Sequence, residues 1–136
     1  MSLIHDLVEI DAGDVAAWDT SGRKRVEHDE YDAIAKIHQM LENSEGEELE
    51  KLWIEHEELK TIEAKLVKAC DQICPLIYRV VFKSGYAGTG VDREKLDEIL
   101  LKYVDFSETT KDLYYALTEE IAVLGLFDLR TDENIQ

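Results

Sequence analysis

The sequence predicts an all-α protein of about six helices, and three observations lead to that prediction. Apolar residues recur three and four positions apart over most of the 136 residues, which is the spacing of one helix face. The chain has one Pro and few Gly, so little interrupts long helices. Ser, Thr, Asp and Gly stand between the periodic stretches, as they do at helix ends. With 45% hydrophobic residues, we expect a single domain over residues 1–136 with its own core.

The first predicted helix, at the start of the chain, mixes apolar and titratable side chains. Its apolar residues surround most of the helix and predict that it is buried: Leu3, Ile4, Leu7, Val8 and Ile10. Because Glu9 follows His5 by four positions and Asp6 by three, we expect these side chains to share one interior face. Buried charges need a partner, and a divalent cation satisfies all three. Gly13 predicts the helix stop, with Asp14 where the chain turns away.

The next two helices are predicted from a polar turn and a capping box. After a loop over 14–22 that contains Trp18, a helix is predicted over 23–42. Its inward stripe is Tyr31, Ile34, Ile37 and Leu41. Ser44 and Glu47 have the spacing of a capping box at the start of a third helix. Its inward residues are Leu49, Leu52, Trp53, His56 and Leu59.

The fourth predicted helix is capped by Thr61 and has one carboxylate among residues that favour burial. That carboxylate, Asp71, shares a face with Ala64 and Cys74, so solvent is not its expected neighbour. Two helices with acidic or imidazole groups on apolar faces predict that the faces meet around one ion. Pro75 predicts a kink just beyond this site.

The rest of the chain predicts a glycine-containing connection and two helices. Residues 84–90 follow no strand and precede no Gly-Lys-Ser/Thr, so a connecting loop is favoured over a phosphate-binding loop. Asp92 caps a helix to about Val104, and Ser107 opens the last helix. The inward stripe of that last helix is Leu113, Leu117, Ile121 and Leu124, before Gly125. Residues 131–136 are predicted to form a frayed tail.

Several of these residues occur in a characteristic order along the chain. The order is His5-Asp6, Glu9, Gly13-Asp14, then a helix with Glu63-Ala64-Lys65, Asp71 and Pro75-Leu76. Together they resemble the HD-domain metal-dependent phosphohydrolases, particularly their bacterial 5'-deoxynucleotidase branch. The resemblance covers nearly the whole chain and implies an HD-domain-like helical bundle. It also implies a divalent metal that activates water for attack on nucleoside 5'-monophosphates.

The resemblance implies roles for five residues. By position, His5, Asp6 and Asp71 correspond to metal ligands, Glu9 to the acid/base group, and Asp14 to a carboxylate that orients substrate or water. Oxygen-rich ligation with one imidazole favours Mn²⁺, Co²⁺ or Mg²⁺ over a structural zinc. The implied partners are a small nucleotide substrate and a second copy of the chain, because family members commonly form homodimers.

One departure from the family pattern concerns the start of the chain. The family has an additional histidine and a phosphate-contacting arginine before the His-Asp pair, whereas only Met1-Ser2-Leu3-Ile4 stand there. We therefore expect an N-terminally shortened relative or a fragment, or a site completed by another chain or by a downstream histidine. The same gap leaves open a non-catalytic scaffold or interaction protein that forms an obligate homodimer to cover its apolar faces.

Composition limits the classes of partner. The formal net charge of −16, from 31 acidic and 15 basic residues, disfavours a nucleic-acid polymer and an anionic membrane. A small phosphate ester stays compatible, because a bound cation reverses the local sign of charge. The sequence has no apolar run of membrane-spanning length and no secretory signal pattern, which predicts a cytoplasmic protein. Cys70 and Cys74 are expected to be reduced and buried.

Ordinary structural explanations stand beside these assignments. The His5 and Asp6 side chains alone are also explained by local hydrogen bonds at a helix start. Solvated or capping roles are favoured over metal binding for the three histidines in charged helices, His28, His38 and His56. Of these, His56 is the one to check for metal binding, because it lies near Trp53 in the sequence.

Two further metal sites and one further enzyme class are disfavoured. The acidic run over 45–63 lacks the alternating oxygen ligands of a calcium loop, so a solvated helix face is favoured. Two thiols on one helix, Cys70 and Cys74, are a weak signal for a soft-metal site. An all-helical nucleoside triphosphate pyrophosphohydrolase needs paired acidic helix motifs, and the run Glu47-Glu48-Leu49-Glu50 does not have their spacing.

Overall fold

The computed structural model describes residues 1–15, 19–41 and 44–128. Within these ranges the regular secondary structure consists of six α-helices without a strand. The helices are α1 Glu9–Ala12, α2 Thr20–Met40, α3 Ser44–Glu58, α4 Ile62–Phe82, α5 Arg93–Val104 and α6 Glu108–Val123. The all-α prediction is confirmed. Trp18, Glu42 and the tail over 131–136, which were assigned to a loop, a helix end and a frayed terminus, lie outside the described residues.

The chain divides into two compact units, Met1–Lys68 and Ala69–Gln136. The first contains α1, α2, α3 and the beginning of α4. The second contains the rest of α4 together with α5 and α6. The single domain over residues 1–136 stays a prediction.

Helix ends follow local capping chemistry. The Thr61 hydroxyl accepts a hydrogen bond from the Ala64 backbone N–H at 3.2 Å, which caps α4. Asp92 and Ser107 side chains cap α5 and α6 in the same way, at 2.8 and 3.2 Å from the backbone nitrogens three residues on. Gly13 ends α1 with φ 85° and ψ 158°, a conformation that only glycine adopts readily. These four predicted helix ends are confirmed. The predicted start of the second helix at residue 23 is wrong, because the Asp19 side chain accepts a hydrogen bond from the Gly22 backbone N–H and α2 begins at Thr20.

The core of the first unit forms where α2 packs against α1 and α3. It consists of the buried residues Val8, Ala33, Ile34 and Trp53, with Leu49 and Ile54 packed against them. The Tyr31 ring meets Trp53 edge-on, with centroids 5.0 Å apart. Trp53 and His56, two of the predicted inward residues of α3, are both buried.

In the second unit, α5 and α6 pack against each other. Tyr114 on α6 is fully buried, and its hydroxyl donates a hydrogen bond to Asp97 Oδ1 at 2.6 Å. Leu113, predicted to point inward, is 44% exposed. Ile121 is buried as predicted, whereas at Leu113 the buried position belongs to the next residue, Tyr114, about 100° further around the helix.

Three further burial predictions are wrong. Tyr31 and Leu41, which were expected to point inward from the second helix, are 49% and 36% exposed. The opening segment is a series of turns before a single α-helical turn, and Leu3 and Ile10 are 93% and 84% exposed. Among the apolar residues predicted to be buried there, only Val8 reaches the core, because α2 covers one side of the segment. Cys70 and Cys74 are exposed free thiols. Their side chains lie about 100° around α4 from the buried residues that precede them, Ala69 and Ile73.

Candidate metal centre

The His5 and Asp6 side chains lie together in the turns that precede α1. His5 Nδ1 is 2.9 Å from the Ser2 carbonyl oxygen, which accepts only, so Nδ1 bears the hydrogen of that bond. The other ring nitrogen, Nε2, is 3.1 Å from Asp6 Oδ1. In a neutral ring of this tautomer Nε2 has a lone pair, and a carboxylate oxygen also has only lone pairs to offer. A proton or a metal cation is therefore required to make this contact attractive.

Exposure of the pair decides what can reach it. The His5 side chain is 15% exposed, whereas that of Asp6 is 60% exposed. The imidazole is thus held against the protein while the carboxylate faces solvent. Asp6 was predicted to be interior, and that part of the prediction is wrong, because the segment forms turns on one side of α2. A partly open carboxylate beside a covered imidazole leaves the pair accessible to an ion from solution.

The next two predicted site residues flank α1. Glu9 is half-buried at the first position of the helix, and its N–H donates to the Asp6 carbonyl at 3.1 Å. This hydrogen bond places Glu9 about one helical turn after Asp6, as the three-residue spacing in the sequence predicts. Asp14 is exposed and comes directly after Gly13. The unusual Gly13 backbone sets the direction in which the chain leaves α1, and with it the start of the segment that contains Asp14.

Asp71 lies on α4, within the second unit. It is half-buried, and its Oδ2 accepts a hydrogen bond from Gln72 Nε2 at 2.7 Å. The expected shielding from solvent is therefore partial. The meeting of Asp71 with His5 and Asp6 around one ion stays a prediction.

Across residues 1–15, 19–41 and 44–128, no three His, Cys, Asp or Glu side chains are arranged so that they could hold a metal ion. The pair formed by His5 and Asp6 is thus the largest fragment of the predicted centre that the described residues bring together. A pair supplies two donors, and further ligands or water would complete the coordination of a divalent ion.

His56 is the residue near this pair that the sequence did not assign to the site. It is buried on α3, and its ring centroid lies 5.1 Å from that of His5, with the ring planes inclined by 54°. Its position beside Trp53 marked it for attention, but the spacing of 51 positions from His5 gave no signal of contact. Only packing of α3 could bring the two rings together.

Of the other two histidines, His28 is solvated as predicted, whereas His38 pairs with a carboxylate of α3. His28 is 81% exposed on α2 and lies 3.6 Å from Asp32. His38 Nδ1 is 2.6 Å from Glu50 Oε2, which links α2 to α3. Neither lies in a group that could hold a metal ion among the described residues.

Comparison with known proteins identifies the family over a region that includes these candidate residues. A profile of the HD domain family matches residues 1–110. The chain belongs to the HD domain family. This match includes His5, Asp6, Glu9, Asp14 and Asp71, the five residues that the sequence marked for function.

Individual relatives of this HD-domain chain are proteins named 5'-deoxynucleotidase HDDC2. Those of Bos taurus and Homo sapiens are each 36% identical over 77 residues, covering 57% of this chain and 37% of the relative. The Dictyostelium discoideum protein of that name is 39% identical over 72 residues, covering 53% of this chain and 38% of its own length. The matched part thus spans little more than a third of these relatives.

Two further comparisons have negative results. No solved structure matches this HD-domain chain significantly. Among the described helices, none combines the length and apolar character that crossing a membrane would require.

Proposed function

We propose that this HD-domain protein is a metal-dependent phosphomonoester hydrolase that acts on nucleoside 5'-monophosphates. The main observation in support is the 3.1 Å contact between His5 Nε2 and Asp6 Oδ1, two lone-pair donors of the kind that hold a divalent cation. The names of the relatives, which describe 5'-deoxynucleotidases, support the substrate class.

His5, Asp6 and Asp71 are the residues proposed to hold the ion. One imidazole with two carboxylates is an oxygen-rich donor set, which suits Mn²⁺, Co²⁺ or Mg²⁺. The tautomer of His5 also suits this role. Nδ1–H donates a hydrogen bond to the Ser2 carbonyl, so Nε2 is the nitrogen with a lone pair for a metal ion. A divalent ion so bound would polarise a phosphoryl oxygen and lower the pKa of water.

Glu9 and Asp14 have proposed roles in proton transfer and orientation. Glu9, half-buried and one turn after Asp6, would accept the proton of the attacking water. Asp14, exposed after Gly13, would orient that water or the sugar hydroxyls by accepting their hydrogen bonds. Both roles need a carboxylate, and neither requires a direct bond to the ion.

The charge of the chain favours a small substrate over a polymer. A net charge of −16 repels the many phosphates of a nucleic acid, whereas a single phosphate ester needs only one local region of positive potential. The bound ion would supply that region. The proposal includes a cytoplasmic location, in keeping with two free cysteines.

Replacing Asp71 with Ala tests the proposal. We expect this variant to lose both its divalent metal, measured by elemental analysis, and its release of phosphate from deoxynucleoside monophosphates. Asp112→Ala, at an exposed position of α6, is the matched control and should retain both. Unchanged turnover in a folded Asp71→Ala protein would end the proposal.

A non-catalytic homodimer is a second candidate, favoured by an exposed apolar patch at the end of α4. Ile77, Tyr78, Val81 and Phe82 are 42–70% exposed, and the rings of Tyr78 and Phe82 stack with centroids 5.9 Å apart. Clustered exposed apolar residues favour burial against a partner. A purified chain that is dimeric in light scattering and free of metal would favour this candidate over the hydrolase.

A further inference from the structure

The His56 ring has a fixed place inside the first unit. The residue is 1% exposed on α3, and its Nδ1 lies 3.0 Å from Glu57 Oε1. A carboxylate accepts hydrogen bonds, so Nδ1–H is the donor, and Nε2 is left as an acceptor. Within the described residues this buried Nε2 has no hydrogen-bond donor. The ring is thus located by packing and by one bond to its neighbour.

The His56 ring packs directly against the His5 ring. The two ring centroids are 5.1 Å apart at an inclination of 54°, which is direct contact between imidazoles. His5 belongs to a series of turns with backbone hydrogen bonds of mixed span: its N–H donates to the Met1 carbonyl four residues back, at 3.1 Å, whereas the Ile4 and Leu7 N–H groups donate to carbonyls three residues back. By contrast, His56 lies near the end of α3, a helix of 15 residues with the core residue Trp53 three positions earlier.

We propose that His56 is a positioning residue for His5, and this inference rests on the proposed function for the identity of the ion. His56 limits the orientations of the His5 ring, so that Nε2 is directed to the side of Asp6, at 3.1 Å from its Oδ1. A metal ligand must be held within about 0.5 Å of its working position, and loss of a supporting contact lowers metal affinity by roughly 10- to 100-fold.

The support comes from the ring and not from coordination by its nitrogen. His56 does not join His5 and Asp6 in a group of three donors that could hold an ion among the described residues. A phenyl ring has a similar shape and also removes the buried acceptor that has no donor. Phe at this position should therefore preserve the contact with His5, whereas Ala should remove it.

The experiment compares the full chain with its His56→Ala and His56→Phe variants. Co²⁺ is the probe, titrated by calorimetry and by its visible absorption, which reports the ligand set. We expect Co²⁺ to bind roughly 10- to 100-fold more weakly to His56→Ala. His56→Phe should restore an affinity and a spectrum close to those of the wild type. Leu100→Ala, which removes buried packing from α5 in the second unit, controls for a general loss of stability and should bind Co²⁺ normally.

A second measurement uses the wild-type chain without metal, so it does not depend on whether a variant folds. In the metal-free wild-type chain, NMR should show cross-relaxation between the ring protons of His5 and His56. Absence of that signal would overturn the positioning role. Wild-type affinity in His56→Ala would also overturn it, and so would His56→Phe binding as weakly as His56→Ala, because the nitrogen would then be a ligand.

Failure of the proposed function has a different signature. A wild-type chain that binds no divalent metal would contradict the metal-dependent hydrolase. The cross-relaxation between the His5 and His56 rings would still be expected, because the ring contact does not depend on metal, and its absence would still overturn the positioning role.

Discussion

Replacing Asp6 with Asn removes one negative charge from the pair at the start of the chain and keeps the side-chain size. The Asp6 side chain is 60% exposed, and its Oδ1 lies 3.1 Å from His5 Nε2. If a divalent ion is bound there, the carboxylate is a ligand. If the contact is a simple surface ion pair, its loss has little consequence.

The two interpretations differ in magnitude. An ion pair this exposed contributes about 0–1 kcal/mol even when the imidazole is protonated, so Asp6→Asn should change the stability of the metal-free chain by less than about 1 kcal/mol. At a metal concentration 100 times its Kd, the wild type gains about 2.7 kcal/mol from binding. Loss of a group that only supports a ligand already lowers affinity by up to about 100-fold, and a loss of that size on removal of the Asp6 ligand would reduce the gain to about 0.4 kcal/mol.

Urea denaturation with and without Mn²⁺ measures both quantities. We expect nearly coincident curves for the two proteins without metal and a metal-dependent shift in the wild type alone. Asp11→Asn is the matched control, because Asp11 is 56% exposed and pairs with Lys36 at 2.5 Å on the same short segment. It removes a comparable charge outside the proposed ligand set and should leave the Mn²⁺ effect unchanged.

The reasoning would be refuted by an Asp6→Asn protein that Mn²⁺ stabilises as much as the wild type. Equal loss of the Mn²⁺ effect in Asp11→Asn would also contradict it, because the response would then follow overall negative charge instead of a particular ligand.

Three further predictions concern the backbone, a buried phenol and the thiols. Gly13→Ala should destabilise the chain by about 1–3 kcal/mol in urea denaturation, because φ 85° with ψ 158° is almost restricted to glycine; a neutral result would contradict that backbone. Burial and the hydrogen bond to Asp97 raise the pKa of Tyr114 above its ordinary value of 10, so stability should fall as pH rises past about 10, where the unfolded phenol ionises and the folded one does not. Tyr114→Phe should show a shallower decline. Cys70 and Cys74 are exposed, so both should react with a thiol reagent in the native chain, and slow reaction limited by unfolding would show that they are covered.

Features that depend on a few adjacent residues were predictable. Thr61, Asp92 and Ser107 each cap the helix that the sequence assigned to them, since a cap is made within three residues. Gly13 ends α1 for the same local reason. The His5-Asp6 pair and its spacing from Glu9 are likewise local, and they indicated the HD domain family that the comparison shows.

Features that depend on which helix faces meet were not predictable. The periodicity of α6 located a buried stripe but placed Leu113 inside, where the structure buries the adjacent Tyr114. Apolar character alone also placed Cys70 and Cys74 inside, although Ala69 and Ile73 occupy the buried side of α4. A shift of one residue turns a side chain by about 100°, and several choices of face bury similar apolar area.

The all-α class, the caps at Thr61, Asp92 and Ser107, the stop at Gly13 and the His-Asp pair were all available from the sequence, because each depends on hydrogen bonds and dihedral preferences within about four residues. The tertiary structure alone decided that Asp6 faces solvent while the His5 ring is covered, and that His56 from α3 is the ring against which it lies. Contacts between residues 51 positions apart depend on how α3 packs, and helical periodicity contains no information about that choice.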